Sequence, residues 1–338
     1  MKAKLRSLAK RVSAQCGALR LAGQFAPPGA AILMYHSVRD NPEPYANSIG
    51  TGILHATSVF ERQMELVARH FNPVTINDIR LFLAAEKPLP RRAVAVTFDD
   101  GYVDNAEIAA PILDRFGIRG SFYLTVSLIG AKNAPWFCRL RHVFGTARKP
   151  QWLSLKGQPM PLTNPQERNA ALLSAFNSCA SLAGTSLEQT VCALESDLEV
   201  EPLNGGTRFM MDWNQARALQ KAGHIVGCHT MTHPNVAQVP TDVAYQELVT
   251  AKQKLEAQMG APVQHFSYPH PALNPHWSEG TVAITKEAGY QTAVTTTPGP
   301  VRTGDHPLKL MRIWTPRSEQ EFSWNLECAF LRRWAQAA

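Results

Sequence analysis

The stretch AVAVTFDD, residues 93–100, constrains this chain more than any other. It is an unbroken β-branched and apolar run that ends in two adjacent carboxylates. A strand without polar alternation is buried on both faces, the signature of a parallel sheet covered by helices. Similar runs recur: AILMYHSV (31–38), SFYLTVSLIG (121–130), HIVGCH (224–229), HFSYP (265–269), YQTAVTT (290–296) and LMRIWTP (310–316). Helical stretches fall between them. NDIRLFLAA (77–85) opens with Asn77 as a cap, and 105–117 runs to Gly117 despite Pro111. DWNQARALQKAG (212–223) has Asp212 as cap and Gly223 as stop; 241–258 and 280–289 complete the set. Alternating strand and helix predicts an α/β fold with a parallel sheet. Seven or so strands over 338 residues favour a closed barrel over an open sheet.

Residues 131–210 interrupt the alternation and contain a helical stretch after Pro165. They read as an insertion between two core strands, on the side of the strand ends, where it would shape a pocket. The expected organisation is a basic segment 1–30, a domain over 31–316 with this insertion, and a C-terminal amphipathic helix over 317–338. Hydrophobic residues make up 45% and charged residues 18%, enough for a sizeable core and incompatible with general disorder.

The net charge of +7 favours an anionic surface or substrate but is too mild to argue for nucleic acid. Lys2, Lys4, Arg6, Lys10, Arg11 and Arg20 lie among Leu5, Leu8, Val12 and Leu19 at helical spacing. A solvated helix docked on the domain explains that pattern, and so does an interfacial helix on an anionic membrane. The same pair of readings applies to FSWNLECAFLRRW (322–334). The six cysteines are irregularly spaced and form no CxxC, as expected of thiols in a reducing compartment. Pro27, Pro28 and Gly29 break the only long uncharged stretch near the start, and no signal peptide is evident. The expected location is cytoplasmic, with peripheral contact at the inner membrane as the sharper form.

The chemistry concentrates in two motifs. TFDDG (97–101) places Asp99 and Asp100 side by side at a strand end. Paired buried carboxylates repel, and a cation on one relieves the cost while the other remains an acceptor beside it. Alone, the motif reads better as a polar strand-to-helix turn, with Asp100 capping the next helix. HTMTH (229–233) changes the balance, because His229 and His233 stand four apart, directly after a strand, and one helical turn would bring them together on one ion. Two imidazoles and one carboxylate leave positions open for water and substrate, and they suit zinc, cobalt, nickel or iron.

TFDDGY, HTMTH and FSYP together resemble the polysaccharide deacetylases of the NodB-homology type, carbohydrate esterase family four. ILMYHSV (32–38) narrows the resemblance to the branch that includes poly-N-acetylglucosamine deacetylases, and APILDRFGIRGSFYLTVSLIG (110–130) is similar as well. The resemblance spans roughly residues 31–316. It implies a distorted (β/α) barrel with fewer than eight regular strands, and removal of acetyl groups from N-acetylated glycans or lipid-linked amino sugars. It assigns Asp99 as general base, and Asp100, His229 and His233 as ligands of one divalent metal ion. His36 becomes the general acid, and backbone around Tyr268, Pro269 and His270 helps hold the oxyanion. One departure stands out. The family usually follows FSYP with an aromatic residue and a glycine, whereas this chain has His270 and Pro271, and proline offers no N–H.

Weaker candidates have simpler explanations. Trp136 and Phe137 fall at a family aromatic patch ahead of Arg139 and Leu140, and buried aromatics account for them. Capping accounts for Asp212, and alternation points Cys228 away from His229. His306, in a solvated loop, is the rival of His36. Two other functions compete. A two-histidine-one-carboxylate iron oxygenase fits poorly with ligands more than a hundred residues apart on an α/β pattern. A non-catalytic glycan-binding protein on a degenerate deacetylase fold is the alternative that the altered YPHP loop keeps open.

Overall fold

The computed structural model of the protein describes residues 27–203 and 208–331. Residues 1–26 of the basic segment and Arg332–Arg333 therefore lie outside the described residues, while Gly29 and Ala30, placed in that segment by the sequence, open the first strand. Seven strands form a closed parallel barrel: β1 (Gly29–Tyr35), β2 (Ala93–Phe98), β3 (Ser121–Leu124), β4 (Ile225–Cys228), β5 (His265–Ser267), β6 (Thr292–Pro298) and β7 (Leu310–Trp314). Each pairs with the next, and β7 closes on β1 with Leu33 opposite Ile313. The β1–β2 seam is the longest, in register from Ala30–Ala93 to Tyr35–Phe98.

Alternation along these strands sorts two cores. Ala31, Leu33, Tyr35, Val94, Val96 and Phe98 face the helices, in a large cluster. Ala30, Ile32, Ala93 and Ala95 belong to a smaller cluster that contains Tyr123, Val294 and Leu310 from the other strands. The small inward residues of β1 and β2 leave room for larger ones opposite. Gly227 is such a position: a Cβ there would stand 2.5 Å from the Tyr123 ring.

The helices are α1 (Thr57–His70), α2 (Ile76–Leu83), α3 (Ala110–Arg115), α4 (Trp136–Thr146), α5 (Pro165–Cys179), α6 (Gly184–Asp197), α7 (Trp213–Lys221), α8 (Thr241–Met259), α9 (Glu279–Glu287) and α10 (Glu319–Ala329). Two sequence expectations need correction. The cap of α2 is Thr75, in a reciprocal box with Asp78, while the Asn77 side chain accepts from Arg80 instead. The run 121–130 is a strand only to Leu124, because the Val126 and Ser127 amides turn to donate to the Thr230 and Met231 carbonyls. Of the two readings of the C-terminal helix, docking on the domain is the one seen: Phe322, Leu326 and Ala329 lie in the barrel's helix-side core. Among the described residues no helix is long and apolar enough to cross a membrane.

The insertion lies between β3 and β4 and carries α4, a short hairpin (Gln151–Leu153 with Pro159–Pro161), α5 and α6. It has a core of its own, built on Leu140, Val143, Phe144, Trp152, Phe176 and Val191.

Candidate active site

Inward alternation continues past the strand ends. Beyond Met34 it reaches His36, beyond Thr97 it reaches Asp99, and beyond Gly227 it reaches His229. These side chains meet at the C-terminal mouth of the barrel, where enzymes of this architecture carry out their chemistry. They line a pocket of about 370 Å³ together with Asp100, His233 and His270. Cys228, at the opposite phase, is buried among the helices as expected.

Asp100, His229 and His233 converge. His229 Nε2 lies 3.4 Å and His233 Nε2 3.2 Å from Asp100 Oδ1, and all three residues are buried. Their ligand atoms lie within 4.8 Å of one another. Among the described residues Asp100 Oδ1 nevertheless has no hydrogen-bond partner. The His229 Nδ1–H donates to the Ser267 carbonyl at 2.7 Å, which leaves the Nε2 lone pair facing the carboxylate. Three buried polar atoms this close with no geometrically formed hydrogen bond among them are a cost that a cation removes, so the donor set fits a divalent metal. Burial alone would raise the Asp100 carboxyl. The His229 and His233 imidazoles outweigh it and hold the group well below the usual carboxylate range, as an anion.

The histidine pair does not ride one helical turn, as its spacing predicted. Residues 229–233 form a tight loop in which Thr230 and His233 take φ of 64° and 65°, and Asp100 stands at φ 74°. Left-handed backbone at such residues persists only where the surroundings fix it. Glu247, buried on α8, does the fixing here: its carboxylate accepts from the Met231 amide, the Thr232 amide and the Thr232 hydroxyl at 2.7–3.0 Å. The Thr230 hydroxyl accepts from the His233 amide at 3.0 Å.

Asp99 is gripped by Arg312, a β7 residue that the sequence reading passed over. Arg312 Nη1 and Nη2 donate to the two carboxylate oxygens at 2.9 and 2.7 Å, and its Nε donates to the Thr295 carbonyl. Burial would raise the Asp99 carboxyl, but Arg312, with help from His229 and His36, brings it below its ordinary value. His36 Nε2 stands 3.9 Å from Asp99 Oδ2. Burial pushes the His36 imidazole down more than Asp100 and Asp99 pull it up.

The chain around His36 is pinned from α3's approach. Asn105 Nδ2 donates to the His36 carbonyl at 2.6 Å. Asp104 accepts from the Val38 amide, the Ser37 hydroxyl and Arg39 Nε, each at 2.8 Å. Burial raises the Asp104 carboxyl to about 6 against these donors. His306 is exposed and lies outside the pocket, on the loop that leads into the start of β7; its Nδ1 accepts from the Leu308 amide.

Of the expected oxyanion segment, the Tyr268 amide donates to the Val294 carbonyl at 3.1 Å, and Pro269 has no N–H. The Tyr268 ring packs on the helix side, with its hydroxyl 3.2 Å from Thr285 Oγ1 and from the Leu308 carbonyl. His270 is exposed at the pocket and contacts Thr296 Oγ1 at 3.3 Å. Asp212 caps α7 in a reciprocal box with Gln215, a sufficient explanation for it. Trp136 is buried, whereas Phe137 lines the pocket with its ring 4.7 Å from that of His233. Trp314, 45% exposed, also lines the pocket. The run LMRIW sets a charged residue inside an apolar strand, an anomaly that marks Arg312 without revealing its partner, and Trp314 carries no such signal.

The profile of the polysaccharide deacetylase family matches residues 86–293. The putative polysaccharide deacetylase YxkH of Bacillus subtilis is 31% identical over 108 residues, which is 32% of this chain and 36% of that relative; the match thus spans about a third of either. Among solved structures, the deacetylase PplD of Streptococcus pyogenes in complex with acetate superposes with a TM-score of 0.58 at 18% identity, over 88% of this chain and 96% of that one. IcaB from Ammonifex degensii gives 0.57 at 17% identity, over 89% and 98%. A de-N-acetylase from Aggregatibacter actinomycetemcomitans gives 0.55 at 14% identity, over 88% and 99%. At these identities the structural likeness speaks for the fold.

Proposed function

The chain belongs to the polysaccharide deacetylase family, and on that footing we propose that it hydrolyses the acetamido group of an N-acetylated glycan or a lipid-linked amino sugar, releasing acetate. The observation that carries this reading is the unpartnered Asp100 Oδ1 between two imidazole Nε2 atoms, beside a second carboxylate in the same pocket. A divalent ion held by Asp100, His229 and His233, zinc by its donor chemistry, acidifies a water and polarises the amide carbonyl when bound.

The chain's own groups do the rest. Asp99 accepts the water's proton, and Arg312 keeps it ionised and aimed for that purpose. His36, one short step from Asp99, donates a proton to the departing nitrogen. Its depressed imidazole is a willing donor once protonated. With the Tyr268 amide engaged and Pro269 lacking one, the His270 N–H is the group left in that segment for the oxyanion. Trp314 offers an aromatic face on which a sugar ring can stack. The acetate complex of PplD, a protein of the same fold, agrees with acetate as product. The reading extends to a cytoplasmic enzyme whose basic segment 1–30 meets the anionic inner membrane; finding the protein only in the periplasm overturns that part.

The decisive experiment is acetate release from a panel of N-acetylated oligosaccharides and lipid-linked sugars, with zinc-replete full-length protein. Release that stops on chelation and returns with zinc is the expected result. Glycan binding without acetate release from any substrate overturns the reading.

A further inference from the structure

The insertion's wall of the pocket carries a cation that no carboxylate pairs with among the described residues. Helix α4 holds two arginines two residues apart, and they face different ways. Arg139 is buried in the insertion, with Nε and Nη2 on Glu195 at 2.8 and 2.6 Å and Nη1 on Glu188 at 2.6 Å. Arg141 faces the pocket, and among the described residues it forms no ion pair with a carboxylate. It is nonetheless held in place. Its guanidinium carbon lies 5.0 Å from the centroid of the Phe176 ring. Gly50, at φ +97°, makes the space for it: a Cβ there would stand 3.1 Å from Cζ and 3.2 Å from Nε.

Charge and position say what it is for. Asp99 is matched by Arg312, and Asp100 stands among the residues that fit a metal ion, so Arg141 leaves the pocket with surplus positive charge. A guanidinium fixed on an aromatic face, with its fork free, is suited to bidentate recognition of an oxyanion. Phe137, one turn earlier on α4, touches His233. Arg141 therefore shares that helix face, its Cβ roughly 5–6 Å from that of Phe137. That reach suits an anion on the reacting sugar itself, and a phosphoryl group on the anomeric carbon is vicinal to a 2-acetamido group. A carboxylate on a neighbouring sugar would sit another ring away.

We infer that Arg141 is an anion anchor and that the substrate is a phosphorylated acetamido sugar, a soluble sugar phosphate or a lipid-linked one. This rests on the deacetylase reading and narrows it. The test compares kcat/KM of the zinc-loaded full chain for methyl N-acetylglucosaminide, N-acetylglucosamine 1-phosphate and its alkyl phosphodiester. The wild-type protein is expected to favour the phosphates at least tenfold. Arg141→Gln should reduce that ratio at least tenfold through KM, and Arg141→Lys should restore it in part, as a point charge without the fork. A further gain for the diester assigns the lipid-linked source, and equal values assign the soluble one. A preference that survives in Arg141→Gln, or no preference in the wild type, overturns the inference. If no substrate releases acetate, it is the deacetylase reading that fails. Calorimetric binding of N-acetylglucosamine 1-phosphate then decides the role of Arg141: tenfold weakening in Arg141→Gln upholds it, and unchanged binding overturns it.

Discussion

The barrel mouth and the wall that the insertion places over it are built on different principles. At the mouth, polar groups arrive on strand ends, are almost completely buried, and are gripped. Asp99 lies in the fork of Arg312, the His233 loop hangs from Glu247, and the His36 segment is tied to Asp104 and Asn105. The wall stands on a core of its own and contributes aromatic faces, Phe137 and Phe176, with one arginine that forms no ion pair among the described residues. The reacting groups we propose ride on the strand ends of a single sheet or the loops that follow them, while the selecting groups we propose ride on a unit with a cluster of its own. Chemistry should therefore fail when the mouth is changed, and stability or selectivity when the wall is.

The largest effect should come from removing a ligand. His233→Ala is expected to lower metal content and turnover together, the latter by about 10³-fold or more. Elemental analysis beside acetate release checks this, and unchanged metal in the variant breaks the assignment of the mouth. Next, His36→Ala should keep its metal yet lose about 10²–10⁴-fold in rate on an acetamido sugar. The loss should be far smaller on an ester with a good leaving group, and His306→Ala should behave as wild type. Equal losses on amide and ester would remove His36 from the role of proton donor.

The wall answers to a different measurement. Arg139→Ala leaves the buried Glu195 without its main partner and is expected to cost about 3 kcal/mol of stability. Metal content should stay at the wild-type level. Urea unfolding with metal analysis tests the contrast; loss of metal in this variant would show that the insertion and the mouth are one cooperative unit. The smallest effect sharpens the picture of how the mouth is held. Glu247 touches none of the reacting groups, yet Glu247→Ala frees the loop that carries His233. Metal affinity, measured by chelator competition, should weaken about 10–100-fold with the fold intact. An unchanged affinity would mean that Thr230 and the backbone hold the loop alone.

How much of this was legible beforehand depends on the range of the interaction. Strand and helix alternation, the closed barrel, the place of the insertion, and the convergence of Asp99, Asp100, His229, His233 and His36 all follow from local pattern. Inward and outward positions repeat every two residues along a strand, and parallel strands deliver their ends to one mouth. Arg312, Glu247, Asp104 and Arg141 were missed because their meaning is relational. An arginine in LMRIW or a glutamate in the middle of a long helix acquires a role only from what another segment sets against it, 213 residues away for Arg312 and Asp99.

The sequence by itself settled the architecture and the residue types at the mouth, because burial period and strand-end position are properties of short stretches of chain. Tertiary structure alone decided four other matters. The histidine pair meets through a left-handed loop rather than a helical turn, since Glu247 supplies the donors' partner there. The Tyr268 amide belongs to the sheet, since β6 lies beside it. The C-terminal helix keeps its apolar face on the barrel, since an apolar stripe looks the same whether a core or a lipid surface covers it. And of two arginines two residues apart, one is neutralised and the other faces an open pocket, because a shift of two positions turns a side chain roughly 200° around the helix, and only the folded neighbours determine what lies in each direction.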